Sequence, residues 1–335
     1  MASYNEEKNI EKKIITTLNT DYPYNKTEFL IGSDNSSDNT DYIIKKYAKI
    51  YPQIKFYPFA ERTGKTGIIN FLKNKAENDI LIMTDTKVFF KKNTLYNLVK
   101  HLKNKNIDIV GGILKNSKRN RHDVSVPEDT YMKNEMIMKY REGLAGKCSM
   151  GVFGAVYAIK KEALSIIPSN FKVDDFFITM KVIEKERGVI FEKNAVADEE
   201  ITGDFKEEFK RKVRIATGNF QNLFYFMHIL KRPFRKASFY FFSHKVIRWA
   251  GPFLIASAVI SNIMLLNYSL YKITFLFFIL SVTFAVLDLI LKNTGINIKL
   301  FRYFTHFYGM NIALAIGFFN YLKGVESGTW EPSKR

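Results

Sequence analysis

The sequence predicts an α/β domain with a largely parallel sheet, followed by a membrane-associated C-terminal region. Three observations predict it. Over the N-terminal part, short apolar runs that end in polar clusters alternate with helix-like stretches of about a dozen residues, the pattern of strand–helix crossover units. After residue 248, three long apolar runs follow one another. Between the two parts lies a segment that is aromatic and basic together.

The strand candidates come in order: EFLIGSD (28–34), IKFYPF (54–59), DILIMTD (79–85) and IDIVGGIL (107–114). Helical stretches at 38–51, 65–76 and 92–103 separate them. In open sheets of this kind ligands bind beyond the carboxyl ends of the strands, so Asp34 and Asp85 are the first candidates for chemistry. Asp38, with Ser36 and Ser37, reads well as a helix cap, which explains Asp38 better than Asp34. Asp85 follows a very apolar strand; it is a turn former or a ligand of metal, ribose or phosphate.

The chain has 51 Lys+Arg against 33 Asp+Glu, a net charge of +18. Such charge points to nucleic acid, anionic lipid or a phosphorylated substrate. A hydrophobic content of 47% excludes a disordered chain and allows a sizeable core. The single cysteine, Cys148, excludes an internal disulfide framework and Cys-ligated zinc sites.

The apolar runs cover 249–266, 273–291 and 304–322, each close to the roughly 20 residues that a membrane span requires. Buried core helices are the competing reading, and three such runs with short links favour spans. Asp288 and His306, the polar exceptions, are expected to face a neighbouring helix or an interface. Lys231, Arg232, Arg235, Lys236, Lys245 and Arg248 flank the first run; Lys272 alone lies in the next link, and Lys292, Lys299 and Arg302 in the one after. The positive-inside rule then puts residues 1–248 in the cytoplasm beneath a multi-pass inner or plasma membrane anchor, with WEPSKR on the far side. The first residues show no signal-peptide pattern. The segment 220–249 suits a helix lying in the membrane interface. An RNA-binding arm competes for the charge of this region, where residues 205–248 hold eleven Lys/Arg against Glu207 and Glu208. Its place against a span favours lipid or a substrate diphosphate, and no nucleic-acid motif is present.

Taken together, these segments resemble the family 2 glycosyltransferases of the GT-A fold, in the membrane-anchored branch related to cellulose and hyaluronan synthases. The resemblance covers almost the whole chain, as short motifs in the family's order. It implies a Rossmann-like mixed sheet and three parts: a cytosolic GT-A domain over 1–218, an amphipathic interfacial segment over 219–248, and a membrane domain of about three helices over 249–335. Tyr4, Asn5 and Glu6 fall in the nucleotide-site segment after the first strand. SDNSSDNT resembles the family's Asp-Gly-Ser-x-Asp turn, with Asp34 expected on the uracil. ERTGKTGIIN brings Lys65 toward the donor, with Asn70 on the helix that follows. MTDTKVF stands at the Asp-x-Asp motif, which implies donor contacts from Asp85 and Lys87 and a Mg2+ or Mn2+ ion at Asp85. GVFGAVYAIKKEAL resembles the acceptor-side strand, with Phe153 and Gly154 facing the acceptor. VDDFF resembles the Glu-Asp segment and makes Asp175, beside Asp174, the expected general base. RKVRIATGN aligns with Gln-x-x-Arg-Trp and adds Arg211, Lys212 and Arg214 to the donor side.

The chemistry agrees with those roles. A sugar hydroxyl that attacks an anomeric carbon needs a base within hydrogen-bond reach. A leaving nucleoside diphosphate needs positive charge at its oxygens, and arginine grips phosphate in bidentate fashion. Four departures from the pattern stand out. The apolar first strand is missing ahead of MASYNEE. The second carboxylate of Asp-x-Asp is Lys87, whose ammonium repels a cation or partly replaces it. Ile215 replaces the Trp and Arg211 the Gln of Gln-x-x-Arg-Trp. Phe153 stands where a small or polar residue is common.

The resemblance thus implies a membrane-bound inverting glycosyltransferase that moves one sugar from a nucleotide sugar, UDP-linked by preference, to a lipid-linked or cell-envelope glycan acceptor. Membrane lipids and other envelope-biosynthesis proteins are the further partners. Two readings stand beside it: a processive polysaccharide synthase, against which Ile215 speaks, and a degenerate, non-catalytic subunit suggested by Lys87, Ile215 and the absent strand.

Overall fold

A computed structural model describes residues 1–116, 125–199, 205–296 and 298–325. The tail WEPSKR, expected beyond the membrane, lies outside them.

The N-terminal strands and helices alternate as the pattern requires. β1 (Ala2–Ser3), β2 (Phe29–Ser33) and β3 (Ile54–Pro58) form a three-stranded parallel sheet, connected by α1 (Glu7–Leu18) and α2 (Thr40–Ile50). The first-strand position, expected to be missing, is held by Ala2–Ser3, in register with Gly32 and Ser33. Isoleucines on one face of each helix pack on this sheet: Ile10, Ile14 and Ile44 meet Ile31 and Ile54.

α3 (Gly64–Lys75) leads to β4 (Ile80–Thr84) and β5 (Val88–Phe90); α4 (Thr94–Val99) leads to β6 (Ile107–Asn116). After α5 (Ser125–Gly146) come β7 (Val156–Lys160), α6 (Asp174–Glu184) and β8 (Gly188–Glu199). These strands make a second sheet of order β4-β7-β6-β8-β5. Only β6 and β8 run parallel; β7 is antiparallel to both of its neighbours, as is β5 to β8. The parallel expectation therefore holds for the first sheet and not for the second. A strand such as Val156–Tyr157–Ala158–Ile159, buried on both faces, has the same apolar sequence whichever way its partners run.

α7 (Phe205–Tyr225) continues without a break through residue 218. Beyond it, residues 226–249 are not one interfacial helix. They form a 3₁₀ turn (Met227–Lys231), α8 (Lys236–Tyr240), a π-helical turn (Phe241–Val246) and α9 (Ile247–Trp249). Their aromatics divide between two environments. Phe226, Phe241 and Trp249 are buried with Phe176 and Phe177 in the largest core cluster, while Phe234, Phe239 and Phe242 are exposed. Composition records that a segment is aromatic and basic; it does not record which aromatics have a core to enter.

The three apolar runs become α10 (Gly251–Met264), α11 (Ser269–Asn293) and α12 (Lys299–Leu322). Among the described residues, Ser269–Lys292 is the one helix long and apolar enough by itself to cross a membrane. α10 has 14 residues, about 21 Å, short of a roughly 30 Å hydrocarbon core. It reaches spanning length only together with Lys236–Trp249, from which it is bent by 61°. α12 docks on α7. A Cβ on Gly317 would lie 2.5 Å from that of Ala216, Phe318 packs on Phe220, and Tyr321 stacks on Phe224. Asp288 faces a neighbouring helix as expected, with Arg302 of α12 3.7 Å away.

Candidate active site

The carboxyl ends of the strands and the N-termini of α3 and α6 meet in one cleft. Asp34, at the end of β2, is buried and holds the Arg62–Gly64 turn by accepting hydrogen bonds from Thr63 N (2.6 Å), Gly64 N (3.1 Å) and Arg62 Nε (3.0 Å). Gly64 has φ +78°, a conformation that glycine adopts without strain. The Arg62 guanidinium lies 3.4 Å over the Tyr4 ring. Asp34 thus holds Arg62 against Tyr4, with its own oxygens already engaged.

Asn5 is committed to the neighbouring turn. Its Oδ1 accepts from Ser37 N at 2.8 Å, and its Nδ2 donates to Ser37 Oγ at 3.2 Å. Glu6 is buried, 3.1 Å from Lys87 Nζ. Lys87, expected to stand in for metal charge, is therefore neutralised by Glu6. Lys65, just after the turn held by Asp34, takes the central place instead. Its Nζ is 2.9 Å from Asp85 Oδ1 and 3.8 Å from Asp174 Oδ2. Burial works against its charge, and Asp174 and Asp85 outweigh burial, so the ammonium is held above the ordinary lysine range.

A divalent cation in this fold needs a carboxylate pair beside the donor diphosphate. The residues present do not fit one. Asp85 already has an ammonium, the second carboxylate position is Lys87, and no group of three or more His, Cys, Asp or Glu side chains is placed to hold a metal among the described residues.

Asp175 opens α6 beside Asp174. Its Oδ1 accepts from Phe176 N at 2.7 Å, which leaves Oδ2 toward Gly154, where an added Cβ would come within 2.8 Å of it. Burial and then the like charge of Asp174 raise the Asp175 pKa above the ordinary carboxylate value, against Lys65 and Lys139, which lower it. A carboxylate so tuned suits general-base work. Gly154→Ala should push this carboxylate aside. Transfer is expected to fall about tenfold with donor affinity unchanged, measured as kcat against the dissociation constant of the nucleotide.

Phe153 packs edge-on against Phe191, with Lys139 Nζ 4.1 Å above its ring. Arg214 donates to Lys172 O (3.2 Å) and lies in the field of Asp174, Asp175 and Asp85. Arg211 is exposed and paired with Glu208 at 3.5 Å, and Lys212 is on the same helix. Asn70 supports rather than lines the site: it bonds the backbone of Ile167 through both its amide atoms. Tyr157, beneath the carboxylates on β7, is buried, and its hydroxyl has no hydrogen-bond partner among the described residues.

Sequence reasoning missed Arg62, Lys139 and Tyr157. Arg62 was within reach, since it stands in the quoted Glu-Arg-Thr-Gly-Lys segment. Nothing local marks Lys139 on its helix or Tyr157 on its strand.

The two sheets with helices between their strands, carboxylates at strand ends and a basic turn beside them have the mixed α/β architecture of the GT-A fold. The architecture matches that of a mannosyltransferase from Pyrobaculum calidifontis solved with GDP-Man and Mn2+, with a TM-score of 0.71 at 21% identity over 96% of this chain and 85% of the other. Residues 1–165, just under half of the chain, match the model of glycosyl transferase family 2, and over them the chain is similar to that family. It is 24% identical over 229 residues to the poly-beta-1,6-N-acetyl-D-glucosamine synthase of Staphylococcus epidermidis, 67% of this chain and 54% of that protein. It is 30% identical over 103 residues to the beta-monoglucosyldiacylglycerol synthase of a Synechocystis strain, 30% of this chain and 22% of that protein. The chain thus spans about half or less of the length of these curated relatives.

Proposed function

We propose that this chain is a membrane-bound inverting glycosyltransferase that moves one sugar from a nucleotide-sugar donor to a lipid-linked or cell-envelope glycan acceptor. The observation that carries the reading is the convergence of Asp175, Asp174, Lys65 and Asp85 in one cleft. The acceptor hydroxyl approaches on the Phe153–Gly154 side and gives its proton to Asp175 Oδ2 as its oxygen bonds the anomeric carbon. The bond from that carbon to the nucleoside diphosphate breaks on the opposite face, which inverts the configuration. The departing charge develops toward Lys65, with Arg214 beyond it, so that a fixed ammonium takes the place of a divalent cation.

Membrane attachment rests on Ser269–Lys292 and on the exposed apolar side chains around it, among them Leu276, Phe277, Leu280 and Ile290. A multi-pass anchor then requires α12, or the bent pair of Lys236–Trp249 and Gly251–Met264, to enter the bilayer as well. The basic flank at 231–248 keeps the catalytic domain cytoplasmic. The donor is expected to be a UDP-sugar, and single transfer is favoured over polymerisation because Ile215 offers no stacking surface for a bound glycan.

The test uses the full chain in vesicles with labelled UDP- and GDP-sugars and a total envelope-lipid extract. Label entering the lipid phase as a single-sugar product supports the reading. A ladder of long products assigns the processive alternative. Neither transfer nor donor hydrolysis by a chain that binds nucleotide assigns a non-catalytic subunit.

A further inference from the structure

A second cluster of charged side chains lies behind the catalytic carboxylates, between α5 and the π-helical turn. Glu135, Lys139, Glu142, His244 and Lys245 are all buried. His244 sits between two carboxylates, its Nδ1 2.7 Å from Glu142 Oε1 and its Nε2 3.0 Å from Glu135 Oε2. Glu135 also accepts from Lys245 (2.7 Å) and Arg248 (2.9 Å) and is 3.7 Å from Lys139 Nζ. Burial opposes its charge, yet Lys245, His244 and Lys139 hold its carboxyl far below the ordinary range.

Two branches leave this clamp toward the chemistry. Through its other oxygen Glu142 accepts from Met150 N at 2.8 Å, and Ser149 Oγ donates to Lys139 O at 2.6 Å, so α5 holds the loop that leads to Phe153 and Gly154. Through Glu135, Lys139 is held over the Phe153 ring, on the side where Asp175 feels its charge. The π turn and α9 pack on the same place from behind, with Phe241 of the turn 6.1 Å and Trp249 of α9 5.4 Å from the Phe176 ring, next to Asp175.

We propose that Lys139 is a positioning residue for Asp175, and that the Glu135–His244–Glu142 clamp holds it and the acceptor-side loop in place by tying both to the π turn beside the first apolar helix. The proposal rests on Asp175 as the base. It gives the membrane-proximal turn a direct mechanical link to the acceptor side of the cleft and leaves the donor side to the Asp34–Lys65 turn. The groups that face Asp175 are Asp174 on its own helix, Lys65 on α3, Lys139 on α5, Tyr157 on β7 and Arg214 on α7. Among them Lys139 alone belongs to the clamp. Glu135 keeps His244, Lys245 and Arg248 as hydrogen-bond partners when Lys139 is replaced.

The experiment measures transfer against pH for the native chain, Lys139→Met, Lys139→Gln and Lys139→Arg, with nucleotide binding measured on each. Without the cation Asp175 holds its proton to higher pH, so the acidic limb of kcat should move up by about one unit in Lys139→Met and Lys139→Gln. Lys139→Arg should bring it back toward the native position, with donor affinity constant throughout. His244→Gln should lower kcat for transfer more than it lowers donor hydrolysis. A limb that stays at the native pH in the neutral variants overturns the proposal, as does loss of nucleotide binding in both, which assigns Lys139 to folding alone. A native chain that transfers no sugar fails at the prior step, the transferase reading, and the proposal falls with it.

Discussion

Asp175→Asn is expected to lower sugar transfer by about 10²–10⁴-fold, the range for loss of a general base, with nucleotide affinity unchanged. The amide keeps the shape of the side chain and can still accept from Phe176 N, so the turn at the start of α6 survives. What is lost is the proton acceptor on the Gly154 side. The same variant makes a prediction about stability. The Asp175 pKa is raised in the folded chain by burial and Asp174. A raised pKa means that the folded state favours the protonated acid, a preference fully present below the unfolded pKa and lost as pH rises through the folded one. At neutral pH the ionised form therefore costs stability, and Asn does not carry that cost. The melting temperature of Asp175→Asn should equal or exceed that of the native chain. Unchanged turnover would remove Asp175 from the mechanism; a large drop in melting temperature would make it a structural residue.

Lys65→Met is the second large effect. It removes the cation shared by Asp85 and Asp174 and leaves two carboxylates facing the donor diphosphate. Transfer should fall about 10²–10³-fold, comparable to loss of one preorganised electrostatic partner of the transition state, and nucleoside diphosphate should bind more weakly. The two carboxylates then form the cation site that the native chain has closed with its own ammonium. Native transfer should therefore survive EDTA, while the residual activity of Lys65→Met should rise with Mn2+. Calorimetry of nucleoside diphosphate binding, with and without Mn2+, gives the same contrast without turnover. Strict Mn2+ dependence of the native chain would show that Lys65 moves aside for a metal and would end this reading.

Part of the candidate site was legible in the sequence, because Asp34 and Asp85 stand where apolar runs end. Lys65 and Asp175 came only from the resemblance of ERTGKTGIIN and VDDFF to family segments. The side-chain partners were not legible. Lys87 pairs with Glu6, and Asn5 bonds Ser37. Both side chains can reach either way from their backbone positions, and only the surrounding packing chooses. Arg211 follows the same rule, being drawn to Glu208 one turn earlier on its helix.

The sequence alone determined the alternation of strands and helices, the order of the motifs and the apolar character of the C-terminal third, because periodicity and composition are local properties of the chain. The tertiary structure decided the rest. Glu135, Lys139 and Glu142 are buried where the π turn and α9 bring His244, Lys245 and Arg248 against α5. The run at 304–322 packs Gly317 and Phe318 on Ala216 and Phe220 of α7, contacts that its apolar composition does not record. In both cases the deciding partner lies roughly a hundred residues away, and burial at such separation leaves no mark on the local pattern.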